Sequence, residues 1–102
     1  MEGLELICFE MISFNGSARS SYVEAITAAK NSDFARAEEL MAEGNESFEQ
    51  GHKAHAKLIQ REAAGESTEI KLLLIHAEDL MMSAETLRIM AEEMIELYKR
   101  VP

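Results

Sequence analysis

From Leu4 to Tyr98 apolar side chains recur every three to four residues, and no proline interrupts them; the only proline is residue 102. That period is the α-helix's, and an internal proline would break it. Only two short stretches disturb the rhythm. KNSDF, residues 30–34, offers Asn31, Ser32 and Asp33 as helix N-caps. AAGEST, residues 63–68, supplies Gly65 to close one helix and Ser67 or Thr68 to cap the next. Three helices are predicted, over 3–30, 33–64 and 67–99. Short connections make consecutive helices antiparallel neighbours, so the expected fold is all-α, an up-down-up three-helix bundle. Helix formers dominate and aromatics make up 6% of the chain, which argues against a β-rich fold.

Each predicted helix carries a core stripe. In the first it is Leu4, Cys8, Met11, Ala18, Tyr22, Ala25 and Ala29, with Asn15 in the gap. In the second it is Phe34, Ala37, Met41, Phe48 and Leu58, with Gly44, Gly51 and His55 between them. In the third it is Ile70, Leu73, Ala77, Leu80, Ala84, Leu87, Ala91, Met94 and Tyr98. Gly16, Gly44 and Gly51 each weaken a helix interior by about 1 kcal/mol relative to alanine. They point either to close helix packing or, at Gly16, to a kink.

The third helix has more apolar surface than one core needs. At about 100° per residue, Leu72, Ile75, Met82 and Ile89 form a second stripe, with Asp79 and Thr86 filling its gaps. Either the burial angle is wide, or the stripe is an interface. Self-association is the sharper reading, with third helices of several copies around an axis. It also gives Asp79 a role, because a lone buried carboxylate is destabilising. Carboxylates meeting at an axis are stable when protonated or bridged by a hard cation such as Mg²⁺ or Ca²⁺. His76 lies between the two stripes, at the rim of such a boundary. Lys71, Glu78, Glu85, Arg88, Glu92, Glu96 and Lys99 occupy the remaining sector.

Charge and length exclude several function classes. The 102 residues fit one domain, residues 1–102. Ten basic side chains against nineteen acidic ones leave a net charge of −9. This disfavours nucleic acid and anionic lipid, and no basic patch is present. Lys99 and Arg100, the adjacent basic pair, match a helix C-terminus. Cys8, the only cysteine, has no internal partner, as suits a reducing compartment. The N-terminal stretch lacks the basic region of a signal peptide, and no run is long enough to span a membrane. The expectation is a cytoplasmic protein with no membrane insertion. No glycine-rich phosphate loop and no serine or cysteine triad is visible. His52 and His55, three residues apart, share one helix face, which is a weak metal signal by itself. A metal-binding bundle using His52, His55 and His76 is one reading; a non-catalytic helical oligomeric interaction or regulatory module is another.

The residues also resemble a known family. NGSARS in the first helix, NSDFARAEEL after the first break, GHKAHAKLIQREAAGE in the second helix and IELYKR near the end are similar to segments of the enzyme IIA component of the lactose/cellobiose (chitobiose) class of the sugar phosphotransferase system. LLLIHAEDLMMSA is the most specific segment and resembles that family's His-x-Gln-Asp-His-Leu-Met motif. The resemblance implies a homotrimer of three-helix bundles. It implies that His76 accepts a phosphoryl group from HPr and passes it to a cysteine of the IIB component, for a sugar entering through the membrane component IIC. It also implies that Asp79 binds a divalent cation, typically Mg²⁺, at the trimer axis. Imidazole suits the task because it is nucleophilic near neutral pH. Three positions depart from the family pattern. Glu78 replaces the motif glutamine, Leu80 replaces its second histidine, and His55 stands where glutamine is usual. His52, His55 and Glu78 are the candidate active-site neighbours.

Overall fold

The computed structural model describes residues 3–102 and contains three helices: α1 (Gly3–Lys30), α2 (Phe34–Ala63) and α3 (Leu72–Lys99). No strand occurs among the described residues. The helices form a rod of 55 × 21 × 19 Å. Contacts fix their directions. Asn15 of α1 lies beside Gly51 of α2, and Tyr22 donates to Asn45, so these helices are antiparallel. Gly16 lies beside Leu80 and Arg19 beside Ser83, so α1 and α3 are parallel. The up-down-up order is the expected one. α1 is the central element, packing along both others, while α2 and α3 meet far less closely.

The first turn is built as a double cap. Asp33 is the N-cap of α2, its Oδ1 accepting from the Arg36 amide at 3.2 Å. α1 ends with Asp33 N–H donating to Ala28 O and Ser32 N–H to Ala29 O, a Schellman closure that places Ser32 at φ 64°. α2 ends the same way through Glu66 N–H to Arg61 O and Gly65 N–H to Glu62 O, with Gly65 at φ +86°.

The second break is longer than expected. α3 starts at Leu72, not at 67, and neither Ser67 nor Thr68 caps it. Lys71 takes the N-cap position with no side-chain hydrogen bond to the helix. The extended segment before it folds back, so that Ser67, Thr68 and Ile70 share a shallow hollow with Leu58, Ile59 and Leu74. Ile70, expected in the core stripe, is 77% exposed.

The α1 stripe is buried as read, with Leu4 half-buried at its end. α1 runs unbroken through Gly16. Gly44 and Gly51 are close-approach residues: a Cβ at Gly44 would stand 2.6 Å from the Tyr22 ring, and one at Gly51 2.5 Å from Asn15 Oδ1. In α3 the most buried line is Ala77, Met81, Ala84, Ala91 and Ile95. It is rotated toward α2 from the expected stripe, because Met81 and Ile95 fill the space that the separation of α2 and α3 leaves.

Candidate functional site

The second stripe of α3 faces solvent in the single chain. Leu72, Ile75, Met82 and Ile89 are each at least half exposed, and Asp79 and Thr86 are exposed between them. The wide-burial alternative therefore does not describe this chain. The large side chains it presents to water form one contiguous apolar surface with a carboxylate at its centre.

His76 is exposed one residue beyond Ile75, on the flank of the stripe that turns toward α1. On that side Arg19 of α1 donates from Nε to Ser83 Oγ at 3.1 Å. Arg19, Asp79, Met82, Ser83, Thr86 and Met90 line one open groove. Helix periodicity alone points to no cation for this face. NGSARS carries the signal, but only the α1–α3 register shows that its arginine reaches the groove. Leu80, the other departure from the histidine motif, packs at 3.8 Å from the Cβ position of Gly16. It is a helix-packing contact, where a histidine would need a polar partner.

Glu78 turns the other way, into the α2–α3 seam. His55 Nε2 and Glu78 Oε1 are 2.8 Å apart. An ionised carboxylate only accepts, so the imidazole N–H is the donor. Two of the departures from the family motif are thus partners in one hydrogen bond between helices. The Glu78 charge also reaches the core. The Cys8 thiol is pushed up by burial first, then by the negative charges of Glu78 and Glu5. Such a thiol stays protonated and is a poor nucleophile.

His52 lies further along the same seam. Its ring meets Phe48 edge-on, with centroids 5.2 Å apart, and the Arg88 guanidinium lies over the Phe48 ring, 5.1 Å from its centroid. Glu85, expected on the solvated sector with Arg88, lines this hollow too. No side-chain hydrogen bond joins His76 to His52, His55 or Glu78 among the described residues. No three His, Cys, Asp or Glu side chains of one chain converge on a metal position among the described residues. The three-histidine metal bundle is therefore corrected: His52 and His55 serve the α2–α3 seam, while His76 stands on the opposite flank of α3.

His76 and Asp79 thus share the exposed side of α3, and the comparisons with known proteins cover the whole chain that presents it. Residues 6–99 match the family described as the PTS system lactose/cellobiose-specific IIA subunit. The lichenan-specific phosphotransferase enzyme IIA component of Bacillus subtilis is 43% identical over 98% of this chain and 91% of its own length. The lactose-specific EIIA component of Staphylococcus epidermidis is 39% identical over 95% of this chain and 93% of its own. The crystal structure of the cellobiose-specific enzyme IIA from Bacillus anthracis superposes with a TM-score of 0.95 at 44% identity, covering 98% of this chain and 92% of that one. No helix among the described residues is long and apolar enough to cross a membrane. An all-α bundle carrying the histidine–aspartate segment on an exposed face, matched end to end by these proteins, belongs to the lactose/cellobiose-specific IIA family of the sugar phosphotransferase system.

Proposed function

We propose that this chain is a cytoplasmic phosphoryl carrier in which His76 takes a phosphoryl group from phospho-HPr and passes it to the IIB cysteine. The sugar served is a β-linked disaccharide of the cellobiose, chitobiose or lactose type, entering through IIC. The observation that carries the reading is the exposure of His76 beside an uncovered apolar face, in a chain of this family. A carrier histidine has to meet two partners in turn, so it cannot be buried.

In the first step an imidazole nitrogen of His76 attacks phosphorus, a P–N bond forms, and the bond to the donor breaks. In the second the IIB thiolate sulfur attacks, a P–S bond forms, and the electron pair returns to the imidazole. The transition states are loose, so the protein contributes positioning and charge more than covalent chemistry. Arg19 is the cation that α1 holds on the His76 side of the stripe.

The exposed stripe supports an assembly of copies around an axis. Three copies packing Leu72, Ile75, Met82 and Ile89 around an axis bring three Asp79 carboxylates together. Those carboxylates fit a hard divalent cation such as Mg²⁺, which prefers oxygen donors. Asp79 supplies one donor per chain, so the site needs the oligomer. The ion would neutralise the axial charge when bound; His76 performs the transfer.

Intact-protein mass after incubation with phosphoenolpyruvate, enzyme I and HPr tests the reading. One acid-labile, base-stable phosphoryl group on the protein, missing from a folded His76→Ala variant, is the expected result. Labelling of the variant would place the acceptor elsewhere. No labelling of the wild type beside charged HPr from the same organism would favour a non-catalytic interaction module.

A further inference from the structure

The His55–Glu78 bond is the feature that the carrier reading leaves unused, and the inference below rests on that reading. Glu78 is two residues from the acceptor in a chain already carrying −9. A carboxylate on a flexible stem there would oppose an incoming phosphoryl group, which is itself anionic. In this structure the stem is not free. Its carboxylate is held across the seam to α2 by the His55 imidazole at 2.8 Å, with His55 20% and Glu78 42% exposed at the side chain. Around α3, at about 100° per residue, His76 and Glu78 flank the Ile75–Asp79–Met82 stripe on opposite sides. A cyclic assembly through that stripe sets one flank of each copy against the opposite flank of the next. In such an assembly a Glu78 carboxylate released from α2 would swing toward the His76 of the neighbouring copy, whereas the bonded one is drawn back against its own α2.

We propose that His55 is a positioning residue for phosphoryl transfer: its Nε2–H holds the Glu78 carboxylate against α2, away from the phosphoryl path at His76. His55 does not touch the reacting atoms. It acts through Glu78, and its loss matters only while Glu78 is a carboxylate. Two observations on the α2–α3 seam support a local tether rather than a bundle staple. α2 and α3 meet sparsely. The other ion pair between them among the described residues, Lys99–Glu38 at 3.8 Å, lies at the far end of the rod.

The test is the initial rate of phosphoryl uptake from phospho-HPr by the full-length chain, with melting temperature and oligomeric state measured alongside. His55→Leu removes the donor and is expected to slow uptake by about tenfold, the effect of one freed repulsive charge near the phosphoryl path. His55→Gln keeps a donor and should stay near the wild-type rate. Glu78→Gln should match or exceed wild type, and His55→Leu/Glu78→Gln should recover it. A merely structural contact would not be rescued by removing the charge. Wild-type speed in His55→Leu, a failed rescue in the double variant, or a slow Glu78→Gln overturns the proposal while leaving the carrier reading intact. A wild type that takes no label from charged HPr overturns both.

Discussion

Asn15 lies fully buried with its amide against Gly51: Oδ1 is 2.5 Å from where a Cβ on Gly51 would be, and neither Oδ1 nor Nδ2 has a hydrogen-bond partner among the described residues. The polar group and the missing side chain occupy one space. Gly51→Ala is expected to destabilise the bundle by about 1–3 kcal/mol through overpacking, since a core amide has nowhere to move. Asn15→Ala removes an amide whose burial without partners costs about 1–3 kcal/mol, and leaves a gap. The new methyl at position 51 fills that gap in the double variant. The two changes should therefore couple favourably by more than about 1 kcal/mol. Urea unfolding of the four proteins at one protein concentration measures it; simple additivity would refute the shared-space account.

The two interhelix turns close in the same way with different residues. Gly65 adopts φ +86° without a Cβ penalty, whereas Ser32 adopts φ 64° with one. Ser32→Gly should raise stability by about 0.5–1 kcal/mol, and Gly65→Ala should lower it by about 1 kcal/mol. Thermal melts of the pair read opposite signs if the left-handed backbone sets the cost.

α3 begins at Lys71 with no side-chain cap and a cation at the positive end of the helix dipole. The backbone there, φ −118° and ψ 164°, already suits a capping residue. Lys71→Asp is expected to add about 1 kcal/mol. Slower hydrogen exchange in residues 72–75 would locate the gain. Unchanged exchange would show that the first turn is held by packing alone.

These turns show how much the sequence could tell. Asp33 was legible because capping is local chemistry, and the end of α1 and the start of α2 followed from it. The solvent-facing stripe was legible because Leu72, Ile75, Met82 and Ile89 share a helix face whatever α3 packs against. The true start of α3 was not. Ser67 and Thr68 have cap chemistry, but the chain there is held back along Leu58 and Leu74, a tertiary contact. The same limit hid the His55–Glu78 bond and the place of Arg88 over Phe48. Both depend on the register of α2 against α3, which no period within one helix contains. Met81 and Ile95 were missed because the burial angle of α3 depends on how far α2 stands away.

Tyr22 gives a pH signature. It is fully buried beside Gly44, its hydroxyl donates to Asn45 Oδ1 at 2.8 Å, and burial pushes its pKa up to about 12 from the usual 10. Arg88 pulls it down and Glu92 raises it, both less than burial does. A raised folded-state value means that the folded protein keeps its proton where the unfolded chain has lost it. The contribution is complete below pH 10 and disappears as pH rises through about 12. It is of order 2–3 kcal/mol. Tyr22→Phe should lose only the hydrogen bond to Asn45 at neutral pH and show a flatter decline above pH 10. Denaturant unfolding at several alkaline pH values decides it; parallel slopes in the two proteins would remove Tyr22 as the cause.

Asp79 sits exposed between Ile75 and Met82, both more than half exposed. In a monomer this carboxylate is solvated and replaceable with little effect on stability. In an assembly through the stripe it is buried with its copies, and replacing a buried charge cluster by apolar packing is neutral or stabilising by about 1–4 kcal/mol. Asp79→Leu is therefore expected to keep the oligomer or tighten it. It should also abolish any loss of melting temperature that a chelator causes in the wild type, because the proposed cation ligand is gone. Light scattering across a dilution series, with and without chelator, reads both effects. A monomeric Asp79→Leu protein would remove Asp79 from the assembly axis. A chelator effect that persists in Asp79→Leu would move the cation to other residues.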